Sequence, residues 1–233
     1  MKSGRGLPRV FVEGATPDSE FELPDDEVKK LRNVLRLSSG AEIAVLPNDG
    51  TLIRCTLQGH RAVPVEVLDP QSEPSTKITV AQALPKGDKI DDIVKFGTGL
   101  GVYRFIVFPS ERTVVRWDEK KLESRLRRLR AIAREEAEVS YRSRIPVIEY
   151  AANIGEVLAG NEPIVVLSEG ENVTRSLPAP GAELTLVVGP EGGWAQRELI
   201  LIGDRGVTLG PRVLRVEFAA AAAVASLLLP RAS

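Results

Sequence analysis

The chain has 233 residues, 43% hydrophobic and 27% charged, which is close to globular averages and excludes a wholly disordered or fibrous protein. Its net charge of -1 carries no overall nucleic-acid signature, and a lone cysteine, Cys55, excludes an internal disulfide. The single histidine, His60, removes most zinc-site and serine-hydrolase arrangements.

The first seventy residues contain short β-like runs at Arg9–Val12, Glu42–Leu46, Thr51–Leu57 and Val63–Leu68. Turn signals at Pro47-Asn48-Asp49-Gly50 and at Gly59 separate them, so the segment predicts a small β-barrel or sheet. Cys55, in the alternating run TLIRCTL, reads as a strand residue rather than a nucleophile. A helix is expected from about Pro24-Asp25 to just before Ser38-Ser39-Gly40, with Val28, Leu31 and Leu35 on one face. The polar, proline-containing stretch Asp69–Thr76 is a linker, which places a domain boundary between residues 1–72 and 73–233.

Beyond the linker the pattern alternates. Ile78–Leu84, Arg104–Phe108, Pro163–Leu167 and Leu184–Val188 read as buried strands, and helices between them imply a largely parallel sheet. One helix covers Asp88–Leu100. A second runs from about Glu119 to Tyr141, with Leu122, Leu126, Leu129, Ala133 and Ala137 as its apolar stripe. From Arg112 to Arg144 there are eleven Lys and Arg against six Asp and Glu, which fits either a solvated helix face with internal ion pairs or an RNA-facing patch.

The final helix, Glu217–Leu229, is apolar around almost its whole circumference. It is either buried within one subunit or shared between the core and a second subunit. The run Phe218–Pro230 is shorter than the roughly 20 residues of a membrane span, and the start of the chain has no uninterrupted apolar stretch of signal type. A cytoplasmic protein is expected.

The segment LVVGPEGGWAQRELILIGDRGVTLGPRVLRVE, residues 186–217, places two glycine turns after short apolar runs, each leading toward a helix. Gly189, Gly192 and Gly193 let the backbone approach a ligand closely, and the helix opening near Trp194 points free N–H groups at the same place. Glu191 within the turn opposes a phosphate, and neither the G-x-x-x-x-G-K-[ST] nor the G-x-G-x-x-G pattern is present. A neutral or cationic ligand is therefore expected.

Together, GPEGG at 189–193 and LGPRVLRVE at 209–217 resemble the SPOUT methyltransferases, whose corresponding segments form a trefoil knot around S-adenosylmethionine. With ALPKGDKIDDIVKFGTGLGV at 83–102, RLRRLRAIAREEAEVSYRSRIPVI at 127–148, RVF at 9–11 and VLRL at 34–37, nearly the whole chain resembles the ribosomal small-subunit methyltransferase E family. That family methylates N3 of a uridine in 16S rRNA of the small ribosomal subunit. The resemblance implies a PUA-like RNA-binding β-barrel over 1–72, an α/β SPOUT domain with a C-terminal trefoil knot over 73–233, and a homodimer. It implies cofactor contacts at Leu167, Gly189, Gly192, Leu209, Gly210, Val213 and Leu214, with Glu217 ordering the cofactor loop. Arg142 and Arg215 are the residues expected to stabilise a uridine anion, with direct methyl transfer and no metal. Arg32, Arg36, Lys86 and Arg144 are expected to contact RNA.

The chain departs from the family pattern at three polar positions. It has Glu217-Phe218-Ala219 for Glu-Thr-Ala, Thr98-Gly99-Leu100-Gly101 for Thr-Glu-Leu-Gly, and Val139-Ser140 for Gln-Ser; a histidine usual before VLR is also missing from DDEVKKLRNVLR. These departures motivate two alternatives to the rRNA enzyme, an RNA-binding protein without transfer activity and a SPOUT enzyme acting on another rRNA position or on tRNA.

Overall fold

The computed structural model describes residue 4 and residues 6–169, 175–179 and 181–229; Pro230, the end of the apolar run, lies outside them. The chain forms two compact units, Met1–Glu73 with Ala137–Ile145, and Pro74–Glu136 with Pro146–Ser233. Segment 137–145 therefore groups with the first unit, which a linear division at 72/73 does not capture.

The first unit is a five-stranded sheet in the order β1-β3-β4-β5-β2. Its strands are β1 (Arg9–Phe11), β2 (Phe21–Glu22), β3 (Glu42–Leu46), β4 (Leu52–Gln58) and β5 (Arg61–Leu68). β1 runs parallel to β3, and the remaining pairs are antiparallel. Alternation in these strands buries Val10, Ile43, Val45, Ile53, Cys55 and Leu57 on one face. Burial pushes the Cys55 thiol up to about 12, the state of an inert core residue.

The helix expected before β3 is two short pieces, α1 (Asp25–Lys29) and a π-helical turn over Lys30–Val34. Leu35 N–H bonds Lys30 O at 3.0 Å, five residues back, and Arg36 at φ 55° ends the turn. The wider turn rotates Leu35 off the Val28–Leu31 face, so it is 43% exposed where an α-helix would bury it.

Ala137 and Ile145 pack with Phe11, Leu46 and Leu52 of the sheet. Between them, Glu73 accepts hydrogen bonds from Arg142 Nη2 (2.6 Å), Ser143 N (2.8 Å) and Arg144 N (3.1 Å). One half-buried carboxylate thereby fastens the segment.

The second unit is a six-stranded sheet, ordered β11-β9-β10-β6-β7-β8, in which every pairing is parallel. The strands are β6 (Lys77–Ala83), β7 (Arg104–Phe108), β8 (Val147–Tyr150), β9 (Ile164–Leu167), β10 (Glu183–Val188) and β11 (Gly206–Val207). Sequence patterning predicted four of these; β8 and β11, with four and two residues, are too short to show a period. Helices α2 (Lys89–Leu100), α3 (Glu119–Val139), α4 (Ile154–Leu158), α5 (Gln196–Ile202) and α6 (Val216–Leu228) complete the unit, except that the last three residues of α3 group with the first unit. Among the described residues no helix is long and apolar enough to cross a membrane.

α6 buries Val216, Ala220, Ala223, Val224 and Leu227, spaced as one helical face, and packs against α2. Its other side leaves Phe218 54% exposed, and Leu229 just after it is 53% exposed. α3 is tied to the start of α2 by Arg125–Asp88 (2.9 Å) and Arg128–Asp91 (2.6 Å), so part of the basic run of α3 is already neutralised.

α2 itself packs tightly on β7. A Cβ at Gly97 would stand 2.6 Å from Cζ of the fully buried Phe105. Alanine at a helical glycine gains about 1 kcal/mol of propensity, and forcing a carbon into a filled core costs about 1–3 kcal/mol. Overpacking meets or exceeds the gain, so Gly97→Ala should lower stability by up to about 2 kcal/mol in urea unfolding; a stabilised variant would show that the ring yields freely.

Candidate active site

Strand order creates the site. β10 follows β9 in sequence yet lies between β9 and β6, so the chain leaves β9, β10 and β11 at neighbouring carboxyl ends. The segments leaving β9 and β10, with the turn before α6, enclose a cavity of about 490 Å³. Leu167, Val188, Leu199, Val213 and Leu214 give it apolar walls, and Gly189, Glu169, Glu191 and Arg215 also line it. A smaller pocket beside it is lined by Leu209, Gly210, Leu214 and Leu167. The expected cofactor residues are thus brought together from turns 20 or more residues apart, apart from Gly192 and Glu217, which line neither pocket.

Both of those residues support the walls. Arg112 Nη1 donates to Gly192 O at 2.8 Å, and a Cβ on Gly192 would meet Arg112 Cβ at 3.3 Å. Glu217, in the first turn of α6, lies 3.6 Å from Lys89 Nζ. Gly210, at φ 114°, supplies a backbone conformation that other residues rarely adopt.

Residues that the motif reading did not single out hold the first glycine turn. Trp194 Nε1 donates to Leu167 O at 3.0 Å, joining the ends of β9 and β10, and its ring stacks on Phe108 with centroids 6.5 Å apart. A Cβ at Gly189 would stand 3.1 Å from that indole, so glycine is what lets the turn pass. Gln82, fully buried in the apolar strand KITVAQA, donates to Ala83 O (2.9 Å) and Gly189 O (3.3 Å). Glu198, 2% exposed, accepts from Ala195 N (2.9 Å), Ser110 Oγ (3.0 Å) and Glu111 N (3.0 Å), capping α5 and holding the loop after β7. A polar residue inside an apolar strand and a glutamate in a helix's first turn were the available signals.

Glu191 is the principal electrostatic group of the turn. Burial acts to raise its pKa, but the Lys89 ammonium at 2.9 Å and the Lys86 amide at 3.2 Å prevail and hold it below the usual glutamate range. Lys89 in turn is raised, first by its hydrogen bond to Glu191.

The four cationic positions expected at RNA separate by environment. Arg32, Arg36 and Lys86 are exposed. Arg144 is half-buried and bonds Asn48 O at 3.5 Å and Asp49 O within the first unit. Of the two arginines expected at the chemistry, Arg215 is exposed and lines the cavity, whereas Arg142 is 3% exposed and committed to Glu73. Among the described residues no cluster of three or more His, Cys, Asp or Glu is placed to hold a metal ion.

Residues 71–228 match the model of the RNA methyltransferase domain family. The ribosomal RNA small subunit methyltransferase E of Bacillus subtilis is 32% identical over 91% of this chain and 93% of its own length. That of Mycobacterium bovis is 34% identical over 85% and 82%. The chain belongs to the ribosomal RNA small subunit methyltransferase E family. Its fold agrees with a crystal structure of the family member from Neisseria gonorrhoeae bound to S-adenosyl methionine, with a TM-score of 0.83, 27% identity, and coverage of 94% and 96% of the two chains.

Within this family the departures of the sequence acquire locations. A Cβ at Gly99 would lie 2.9 Å from Glu136 Oε1, so a carboxylate from α3 fills the space beside the glycine. Val139 is 67% exposed at the end of α3, and Phe218 is 54% exposed on α6. Neither change disturbs packing.

The Glu191 anchorage has a definite pH signature. A carboxyl whose folded pKa is depressed adds stability above its unfolded value, and loses it as pH falls through the folded value. Glu191→Gln should therefore cost about 0.5–1 kcal/mol at pH 7, the scale of a partly exposed ion pair, and the deficit should shrink as pH falls below about 4. Chemical unfolding of both proteins across that range measures it; a pH-independent deficit would mean that charge is not the cause.

Proposed function

We propose that this chain transfers the methyl group of S-adenosylmethionine to N3 of a uridine in 16S rRNA of the small ribosomal subunit. The observation that carries the reading is the cavity at the carboxyl ends of β9, β10 and β11, built from the same turns that define the family. Its residues suit the donor: apolar walls from Leu167, Val188, Val213 and Leu214 for an adenosine, carboxylates of Glu169 and Glu191 for a cation, and no phosphate-binding pattern. The donor, when bound, supplies an electrophilic methyl on a sulfonium. Gly189, Leu209 and Gly210 offer it backbone contacts, and Glu217 and Gly192 brace the walls.

In the transfer the N3 proton passes to solvent, N3–CH3 forms as the donor's S–CH3 bond breaks, and S-adenosylhomocysteine leaves as the neutral thioether; the Arg215 guanidinium beside the cavity stabilises the uridine anion from which N3 attacks. Arg142, bound to Glu73, fixes the 137–145 segment rather than meeting the base. Arg32, Arg36 and Lys86 take RNA phosphates, with Arg144 at the edge of the first unit. We read the first unit as PUA-like and the stretch from β9 to α6 as threaded into a trefoil knot; the insertion of β10 between β6 and β9 and the agreement with the donor-bound family member support this. The half-buried alanines and exposed Phe218 of α6, with exposed Leu229 just after it, support a homodimer.

Purified chain should bind S-adenosylmethionine and add one methyl to undermethylated small subunits, with 3-methyluridine found by nucleoside mass spectrometry. Methyl appearing only in tRNA or at another rRNA base would redirect the target, and donor binding without transfer would favour the inactive RNA-binding alternative. Arg215→Ala should lower the single-turnover rate at saturating RNA and donor about 100-fold, the scale of one lost charge-stabilising donor, while changing either affinity less. An intact rate with weakened RNA binding would make it a phosphate contact. Light scattering should report twice the mass of one chain, and Ala222→Glu should shift it toward the monomer by placing an unpaired carboxylate in the interface.

A further inference from the structure

We propose that Lys89 is a positioning residue of the methyl-donor site, its ammonium holding Glu191 of the glycine turn and Glu217 of α6 to one point and so fixing both walls of the cavity. The inference rests on the reading of that cavity as the donor site.

Lys89 is the first residue of α2 and belongs to neither wall. Its Nζ is 2.9 Å from Glu191 Oε1 and 3.6 Å from Glu217 Oε2. The two carboxylates come from different elements, the turn after β10 and the first turn of α6, and their side chains are only 24% and 14% exposed. Glu217 Oε2 accepts no hydrogen bond, so Lys89 is its charge partner among the described residues. With the ammonium absent, two half-buried like charges would face each other and the walls would be pushed apart. A cation in the first turn of a helix opposes the helix dipole, so α2 gains nothing from lysine there. The lysine serves the cavity.

The start of α2 is tied to α3. Asp88, just before α2, and Asp91 of α2 pair with Arg125 and Arg128 of α3, leaving Lys89 free for the glutamates. Lys86 N–H already anchors Glu191 at 3.2 Å, so the specific contribution of Lys89 is to link that anchored turn to α6. From the loop after β7, Arg112 meets the same turn through Gly192 O and not through Glu191. Glu191 is paired with Lys89, with Glu217 across it, and the charged residues Glu169 and Arg215 line the same cavity. Since Glu191 lines the cavity, keeping it ionised also keeps a negative charge facing a cationic ligand.

Calorimetric titration of S-adenosylmethionine into the full chain from about pH 3.5 to 8 tests this, with Lys89→Met, Lys89→Arg and Glu191→Gln alongside wild type. Lys89→Met should weaken binding roughly tenfold at neutral pH, the scale of coupling between contacting charged groups, with its thermal midpoint within about 3 °C of wild type. Lys89→Arg should stay within about threefold. In Lys89→Met the loss of affinity on acidification should begin at higher pH than in wild type, because burial then acts on Glu191 without the opposing ammonium. Glu191→Gln should abolish that acid limb, and adding Lys89→Met to it should cost less than Lys89→Met alone. Unchanged affinity and an unmoved limb in Lys89→Met would overturn the inference while leaving the donor site standing; a wild type that binds no donor would remove both. If Lys89→Met fails to fold, Lys89→Gln reads the same two quantities, and unchanged affinity with an unmoved limb there overturns the inference.

Discussion

The site depends on the placement of β10 in the interior of the parallel sheet. Leu184 to Val188 are all buried, with β9 on one side and β6 on the other. A strand held on both edges and covered on both faces cannot shift its register without exposing a whole apolar run. The turn that leaves it is consequently fixed at one height beside the end of β9. Trp194 and Gln82 convert that fixed height into a fixed turn, one by bonding Leu167 O and the other by bonding Gly189 O.

Around this frame, charge is used locally. The net charge is -1, yet several cations and carboxylates are sorted into pairs that join two elements: Arg125–Asp88 and Arg128–Asp91 join α3 to the start of α2, and Lys89 joins α2 to the walls of the cavity. Exposed pairs of this kind add little stability singly. Their effect is geometric, since each restrains an element that carries or abuts a wall. The basic run of α3 thus serves internal docking with several of its arginines, and fewer are left to meet RNA than the bare count implies.

The two arginines expected at the chemistry stand in different environments. Arg142 and Arg215 are the same side chain, but one is 3% exposed against Glu73 and the other stands in solvent at the cavity. A buried guanidinium already paired with a carboxylate cannot turn to a new anion without leaving Glu73 uncompensated, which is costly. An exposed one is available.

The sequence by itself determined the long elements and the identity of the turns. The strands β6, β7, β9 and β10 and the helices α2, α3 and α6 follow from their apolar runs and periods, and GPEGG with LGPRVLRVE marks the two turns that line the cavity. It did not determine β8, β11 or α4, which are too short for a period to emerge, nor the π-turn that exposes Leu35. Nor did it distinguish Arg142 from Arg215, or select Lys89, Gln82 and Glu198. Local propensity is a property of neighbouring residues, whereas burial, ion pairing and backbone support arise between residues roughly 70 to 130 positions apart, as in Glu73–Arg142, Gln82–Gly189 and Lys89–Glu217. Those partners meet only when the strand order is set, and the strand order is what tertiary packing decided.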